Sequence, residues 1–158
     1  MSLFLDIETD YSQQITVIGF YERSHGFVQL VAPRISRTSL LRSLPKVERL
    51  YTFSGHCFDL PHIRNELGLN LRTRFKSIDL RYACKEVGWT GGQKAIEDLL
   101  GIRRKLPGVD GRYAQYLWHC HSVYGDEDAL QQLLLYNRED VMNMVRIRAA
   151  LRKAGILS

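Results

Sequence analysis

The chain is poor in cysteine, with only Cys57, Cys84 and Cys120 among 158 residues. The number is odd, the spacing is wide and no Cys-x-x-Cys occurs. That excludes a disulfide framework and a zinc knuckle, and it fits a reducing cytoplasm. Long apolar runs are also missing. No stretch has the length of a membrane span, and no secretory leader pattern opens the chain. Internal repeats and low-complexity linkers are absent too, which excludes a solenoid or a tethered array.

What remains is ordinary for a folded domain: 45% hydrophobic and 25% charged residues. At this length one domain, residues 1–158, with a sizeable core is expected. The first strand starts at the initiator Met, compatible with a whole small protein or an excised domain. Lysine and arginine outnumber the acids, giving a formal charge of +5, and the pI is near 9.2. Acidic partners follow, nucleic acid first among them, and no membrane.

The stretch that organises the chain is Ser2-Leu3-Phe4-Leu5-Asp6-Ile7-Glu8-Thr9. An apolar run leading into alternating acids reads as a buried central strand. Strand side chains alternate faces, so Asp6 and Glu8 share one face and Ile7 enters a core on the other. Two bare carboxylates side by side resist ionisation. A divalent cation such as Mg²⁺ or Mn²⁺ relieves them, because it prefers oxygen ligands. A strand that merely ends in polar residues is the bland alternative.

Ile15–Tyr21 and Phe27–Val31 read as two further strands on short connections, hence an antiparallel meander. A short helix over Ser39–Leu44 precedes a fourth strand, Leu50–Ser54, so this connection is a crossover and strand four lies parallel to strand one. Asp59 is expected to cap a helix ending at Gly68, and Asp79 a helix over Leu80–Val87, after a fifth strand over Phe75–Leu80. A helix from Gly91-Gly92 through Leu100 precedes the basic loop Arg103–Gly111. Helices over Arg112–Val123 and Asp126–Lys153 close the chain. The element order predicts an α/β fold with a mixed sheet, strand one central, and helices on both faces. Ligands in such sheets gather at the strand ends where the order reverses.

On the last helix, at about 100° per residue, Leu130, Leu133, Leu134, Val141, Met144, Val145 and Leu151 form one apolar arc. Asp140 falls inside that arc, Tyr136 at its margin and Asn137 on it with no assignable role. A carboxylate on a core-facing stripe needs an arginine, a hydrogen-bond network or a metal. His119-Cys120-His121 is not a shared metal site, since consecutive helical residues point about 100° apart. Arg103, Arg104 and Lys105 read either as a phosphate clamp or as a solvated charge run.

Asp6-x-Glu8, then Phe58-Asp59 after Ser54-Gly55, then Tyr136-Asn137-Arg138-Glu139-Asp140, resembles the three motifs of the DEDD superfamily of 3′–5′ exonucleases. The Tyr-x-x-x-Asp spacing resembles its tyrosine subclass; the histidine subclass would want His where this chain has Leu135. Gly55–Pro61, the Leu-Pro-Gly loop, Trp118 and Tyr136–Val141 are similar to a bacterial group of stand-alone exonucleases. One departure is His56, where proofreading relatives usually carry Asn.

The resemblance implies an RNase-H-like five-stranded sheet of order 3-2-1-4-5 with strand 2 antiparallel. It implies a hydrolase that removes nucleoside 5′-monophosphates from the 3′ end of single-stranded DNA, RNA being the alternative substrate. The sequence leaves the oligomeric state open, with a monomer favoured. The resemblance also implies two divalent ions, Mg²⁺ or Mn²⁺, about 3.5–4 Å apart. Asp6 would bridge them, Glu8 and Asp140 would hold one and Asp59 the other, with Tyr136 orienting the attacking water. Thr9, His56 and Phe58 would touch the substrate, joined by Arg103, Arg104 and Lys105. Two other readings compete: a catalytically silent nucleic-acid-binding or partner-docking module, and a phosphatase. The latter wants Asp-x-Asp after the first strand.

Overall fold

A computed structural model describes all 158 residues. Strands β1 (Ser2–Thr9), β2 (Ile15–Glu22) and β3 (Gly26–Val31) form the meander. Helix α1 (Arg37–Ser43) crosses over to β4 (Arg49–Thr52), and α2 (Asp59–Leu67) with a short 3-10 turn at Leu71–Thr73 leads to β5 (Lys76–Asp79). Helices α3 (Leu80–Glu86), α4 (Gln93–Leu99), α5 (Gly111–Tyr124) and α6 (Glu127–Lys153) follow. The sheet order is β3-β2-β1-β4-β5, with β2 antiparallel to β1 and β3, and β4 parallel to β1 and β5. This is the expected α/β, RNase-H-like sheet.

Period two in β1 decides what each face holds. Leu3, Leu5 and Ile7 enter a core with Leu40 of α1 and with Leu60 and Ile63 of α2. Phe4 enters the opposite core with Val141, Met144, Ile147 and Leu151 of α6. Asp6 and Glu8 continue the Phe4 face. The α6 stripe that packs the sheet therefore carries Tyr136 and Asp140 toward them. A third apolar cluster, with Val17, Ala114, Leu117, Leu133 and Tyr136, fixes α5 and α6 against the meander.

The helix boundaries follow their caps. Asp79 accepts from the Arg81 N–H and starts α3, as expected. Asp110 accepts from the Tyr113 N–H and Asp126 from the Ala129 N–H, so each lies just outside its helix. Asp59 departs from expectation. It is the first residue of α2, Phe58 holds the cap position, and no side chain caps the helix.

Candidate active site

β4 pairs with β1 only as far as Phe4↔Tyr51. Beyond that point the β4-side edge of β1 is free, and Asp59 fills the gap: the Ile7 N–H donates to Asp59 Oδ1 at 2.9 Å. The carboxylate expected to cap its own helix instead satisfies a strand 52 residues away. On the other edge, the β1–β2 register slips between Glu8 and Thr9. Such bulges re-aim side chains beside functional sites.

One carboxylate oxygen from each of Asp6, Glu8 and Asp140 lies within 4.8 Å of the others. Asp59 stands outside this trio but shares its cleft. The cleft, about 490 Å³, is lined by Asp6, Glu8, Thr9, Phe58, Asp59, Tyr136 and Asp140, with Arg112 and Gln115 of α5 on the far wall. Burial is the largest cause raising each acid. Asp6 and Glu8 lie well above the carboxylate range, pushed further by Asp140, Asp59 and, for Asp6, Glu8. Asp59 is raised to about 7 and Asp140 to about 6, the latter held back by Arg104 beside it. Burial, with Asp140, Glu8 and Asp6, drives the Tyr136 phenol far above its usual value.

The donor set fits a divalent cation. It is all oxygen, densely anionic, and Glu8 Oε1 is buried with no hydrogen-bond partner. Ligands to such an ion would be Asp6, Glu8 and Asp140, with Asp59 at the edge.

Three residues organise this cluster without having been assigned to it from sequence. Asn137, fully buried, donates to Asp6 Oδ2 at 3.0 Å and accepts from Gln29 Nε2 at 2.9 Å. Gly19 makes room for it, because a Cβ there would stand 2.0 Å from Asn137 Oδ1. The second is Glu97 of α4, 1% exposed. The third is Arg104, and here the expectation of a phosphate clamp gives way. Its side chain is only 5% exposed. Nε and Nη2 each reach Glu97 at 2.6 Å, and Nη2 also pairs with Asp140 Oδ1. Its guanidinium lies 5.5 Å from the Tyr136 ring centre, with Lys94 Nζ at 5.1 Å from the same ring. Burying a Glu on α4 requires a cation, and Arg104 is the one within reach.

Arg103 and Lys105 remain exposed on the loop, where the Lys105 N–H donates to Glu139. Thr9 is buried at the cleft and Phe58 is 37% exposed on its wall. His56 lies off the cleft, with Nε2 2.9 Å from Ser77 Oγ and its N–H on Asp79.

Three solved structures share the fold. The chain aligns with a family B DNA polymerase of Pyrobaculum calidifontis at TM-score 0.65 and 13% identity, over 92% of this chain and 24% of the polymerase. It therefore spans about a quarter of that protein. It aligns with a nuclease in apo form at TM-score 0.61 and 14% identity, over 95% and 70% of the two chains. NrnC of Brucella melitensis with bound Mg²⁺ gives 0.60 and 16%, over 96% and 72%. The curated protein sequences give no match. The sequence pattern of one family spans residues 3–152, nearly the whole chain, and by that match the protein belongs to the RNase_H superfamily.

Proposed function

We propose that residues 1–158 form one metal-dependent 3′–5′ exonuclease domain of the tyrosine-type DEDD class. Its substrate is single-stranded nucleic acid, DNA first, and its products are nucleoside 5′-monophosphates. The observation that carries this reading is the trio Asp6, Glu8 and Asp140 within 4.8 Å, opening on a cleft shared with Asp59 and Tyr136. A nuclease and a Mg²⁺-bound protein among the structures of like fold support it.

Asp6, Glu8, Asp59 and Asp140 would hold two divalent ions, Mg²⁺ or Mn²⁺, which when bound activate water and stabilise the leaving oxygen. The chain's own contributions follow from its packing. Asn137 and the Ile7 N–H fix Asp6 and Asp59 in place. Tyr136 keeps its proton at neutral pH, so its hydroxyl orients water by hydrogen bonding and does not act as the base. Phe58 stands exposed on the cleft wall and would meet the terminal base, whereas Leu60 is buried in the core.

The silent-module reading keeps one supporting observation: Arg104 already neutralises part of Asp140 without any metal. Digestion of matched DNA and RNA strands with Mg²⁺ and with Mn²⁺ separates the two. Metal-dependent release of mononucleotides supports the exonuclease. Binding without cleavage under every condition supports the silent module.

A further inference from the structure

Helix α5 begins at the cleft and runs 14 residues away from it, about 20 Å at 1.5 Å per residue. It contains no Asp or Glu. Ala114 and Leu117 pack inward, while Arg112, Tyr113, Tyr116, Val123 and Tyr124 are exposed. Four tyrosines stand out as large exposed aromatics on or beside this face: Tyr113 at 41%, Tyr116 at 49%, Tyr11 at 57% and Tyr124 at 76%. They fall in two groups along the helix. Tyr113 and Tyr116 ring centres are 5.7 Å apart; in the other group Tyr11 and His119 are 5.6 Å apart and His119 and Tyr124 5.9 Å. Exposed aromatics clustered in this way are uncommon on a surface that meets only water.

The Tyr11–His119 group is continuous with the cleft, and Tyr113 directly follows Arg112, which lines it. Gln115 lines the cleft and also the next groove along, with Tyr11, Trp118, His119 and Ser122. Gln115 Nε2 bonds the Asp10 carbonyl at 3.0 Å, fastening the Tyr11 turn to the helix. The acids at the near edge are engaged locally. Asp10 accepts from the Ser12 and Gln14 N–H groups, and Asp110 from the Tyr113 N–H.

We infer that the α5 face is a stacking track for the strand upstream of the terminal nucleotide, with bases on Tyr113, Tyr116, Tyr11 and His119 and a phosphate on Arg112. The inference rests on the cleft being where a strand end enters. Stacking on tyrosine and histidine tolerates any base and contributes about 1–3 kcal/mol per base. The helix itself carries no acid, with Asp10 and Asp110 only at its edge, so the backbone meets little repulsion; stacking needs uncovered bases, so the track binds single strands and not a duplex.

The test is fluorescence anisotropy of a labelled single strand, in EDTA so that nothing is cut. Wild type is compared with Tyr113→Ser, Tyr116→Ser and the pair, and each with an abasic strand of equal length. Each tyrosine lost should weaken binding by about 5- to 150-fold, the stacking range above converted at tenfold per 1.4 kcal/mol. The abasic strand should bind wild type weakly and erase the difference between proteins. Equal affinity of wild type and double variant overturns the track. So does a wild-type dimer, seen by sedimentation, that the double variant loses while strand binding is unchanged; the face would then be a contact between copies. Release of mononucleotides from a longer labelled single strand by wild type with Mn²⁺ is read separately. Its failure alone removes the exonuclease reading and leaves the track to the binding result.

Discussion

Removing Arg104 should unsettle the protein more than losing a surface cation would. Glu97 is 1% exposed and takes two 2.6 Å bonds from the guanidinium, which also pairs with Asp140. In Arg104→Met, Glu97 keeps only the Gln93 amide at 3.0 Å. Breaking a buried pair from one side costs about 3–5 kcal/mol. That is a large share of the roughly 5–15 kcal/mol that holds a domain together. At about 2–4 °C per kcal/mol for a domain of this size, the midpoint should fall by roughly 6–20 °C. In the double variant Glu97→Met/Arg104→Met both buried charges go, so most of the loss should be recovered, leaving the part due to Asp140. Urea unfolding of the metal-free proteins reads this directly. A single-variant cost below about 1 kcal/mol, as for exposed pairs, would refute the reasoning. So would a double variant whose cost is the sum of the singles.

Gly19→Ala should destabilise by about 1–3 kcal/mol, typical of overpacking, and weaken Mn²⁺ binding measured calorimetrically, because the new Cβ displaces Asn137 from Asp6. Metal-free stability should fall with rising pH. Asp140 and Asp59, raised to about 6 and 7, keep protons that the unfolded chain releases near 3.9, so their contribution is complete below about 4 and lost through pH 7; a stability that rises over this range in chemical denaturation contradicts the burial of the cluster. Tyr136→Phe should lower turnover while leaving some activity and near-normal Mn²⁺ affinity, whereas Asp140→Asn should cost more in both; the reverse ranking in rate and calorimetry would contradict their roles.

The sheet was legible because its signals are local. Alternation in Leu3–Glu8 sets which face of β1 carries Asp6 and Glu8. The 3.6-residue period of α6 sets which face carries Asp140, so two short-range patterns place three acids near one another once the strand order is known. Asp59 reads in sequence both as a helix cap, because Asp before Leu-Pro has the local chemistry of one, and by resemblance as a metal ligand; only the cap fails. Its partner, the Ile7 N–H, is freed only by where β4 stops pairing. Asn137 had a usable signal, an amide on an apolar arc, but its reason lies in the missing side chain of Gly19 on another strand. Arg104 had none. Three consecutive basic residues look alike in sequence, and which one turns inward depends on a buried Glu97 contributed by a different helix.

The most direct measurement follows a 5′-labelled single-stranded DNA with Mn²⁺, using wild type, Asp6→Ala and Asp59→Ala, each shown folded by circular dichroism. Wild type should give a ladder shortening one nucleotide at a time. Neither variant should give one, nor should wild type in EDTA; a 3′-phosphorylated end should be entered slowly, and a covalently closed circle should survive. Rapid cutting of the circle, or near-wild-type ladders from Asp6→Ala or Asp59→Ala, would contradict the exonuclease reading.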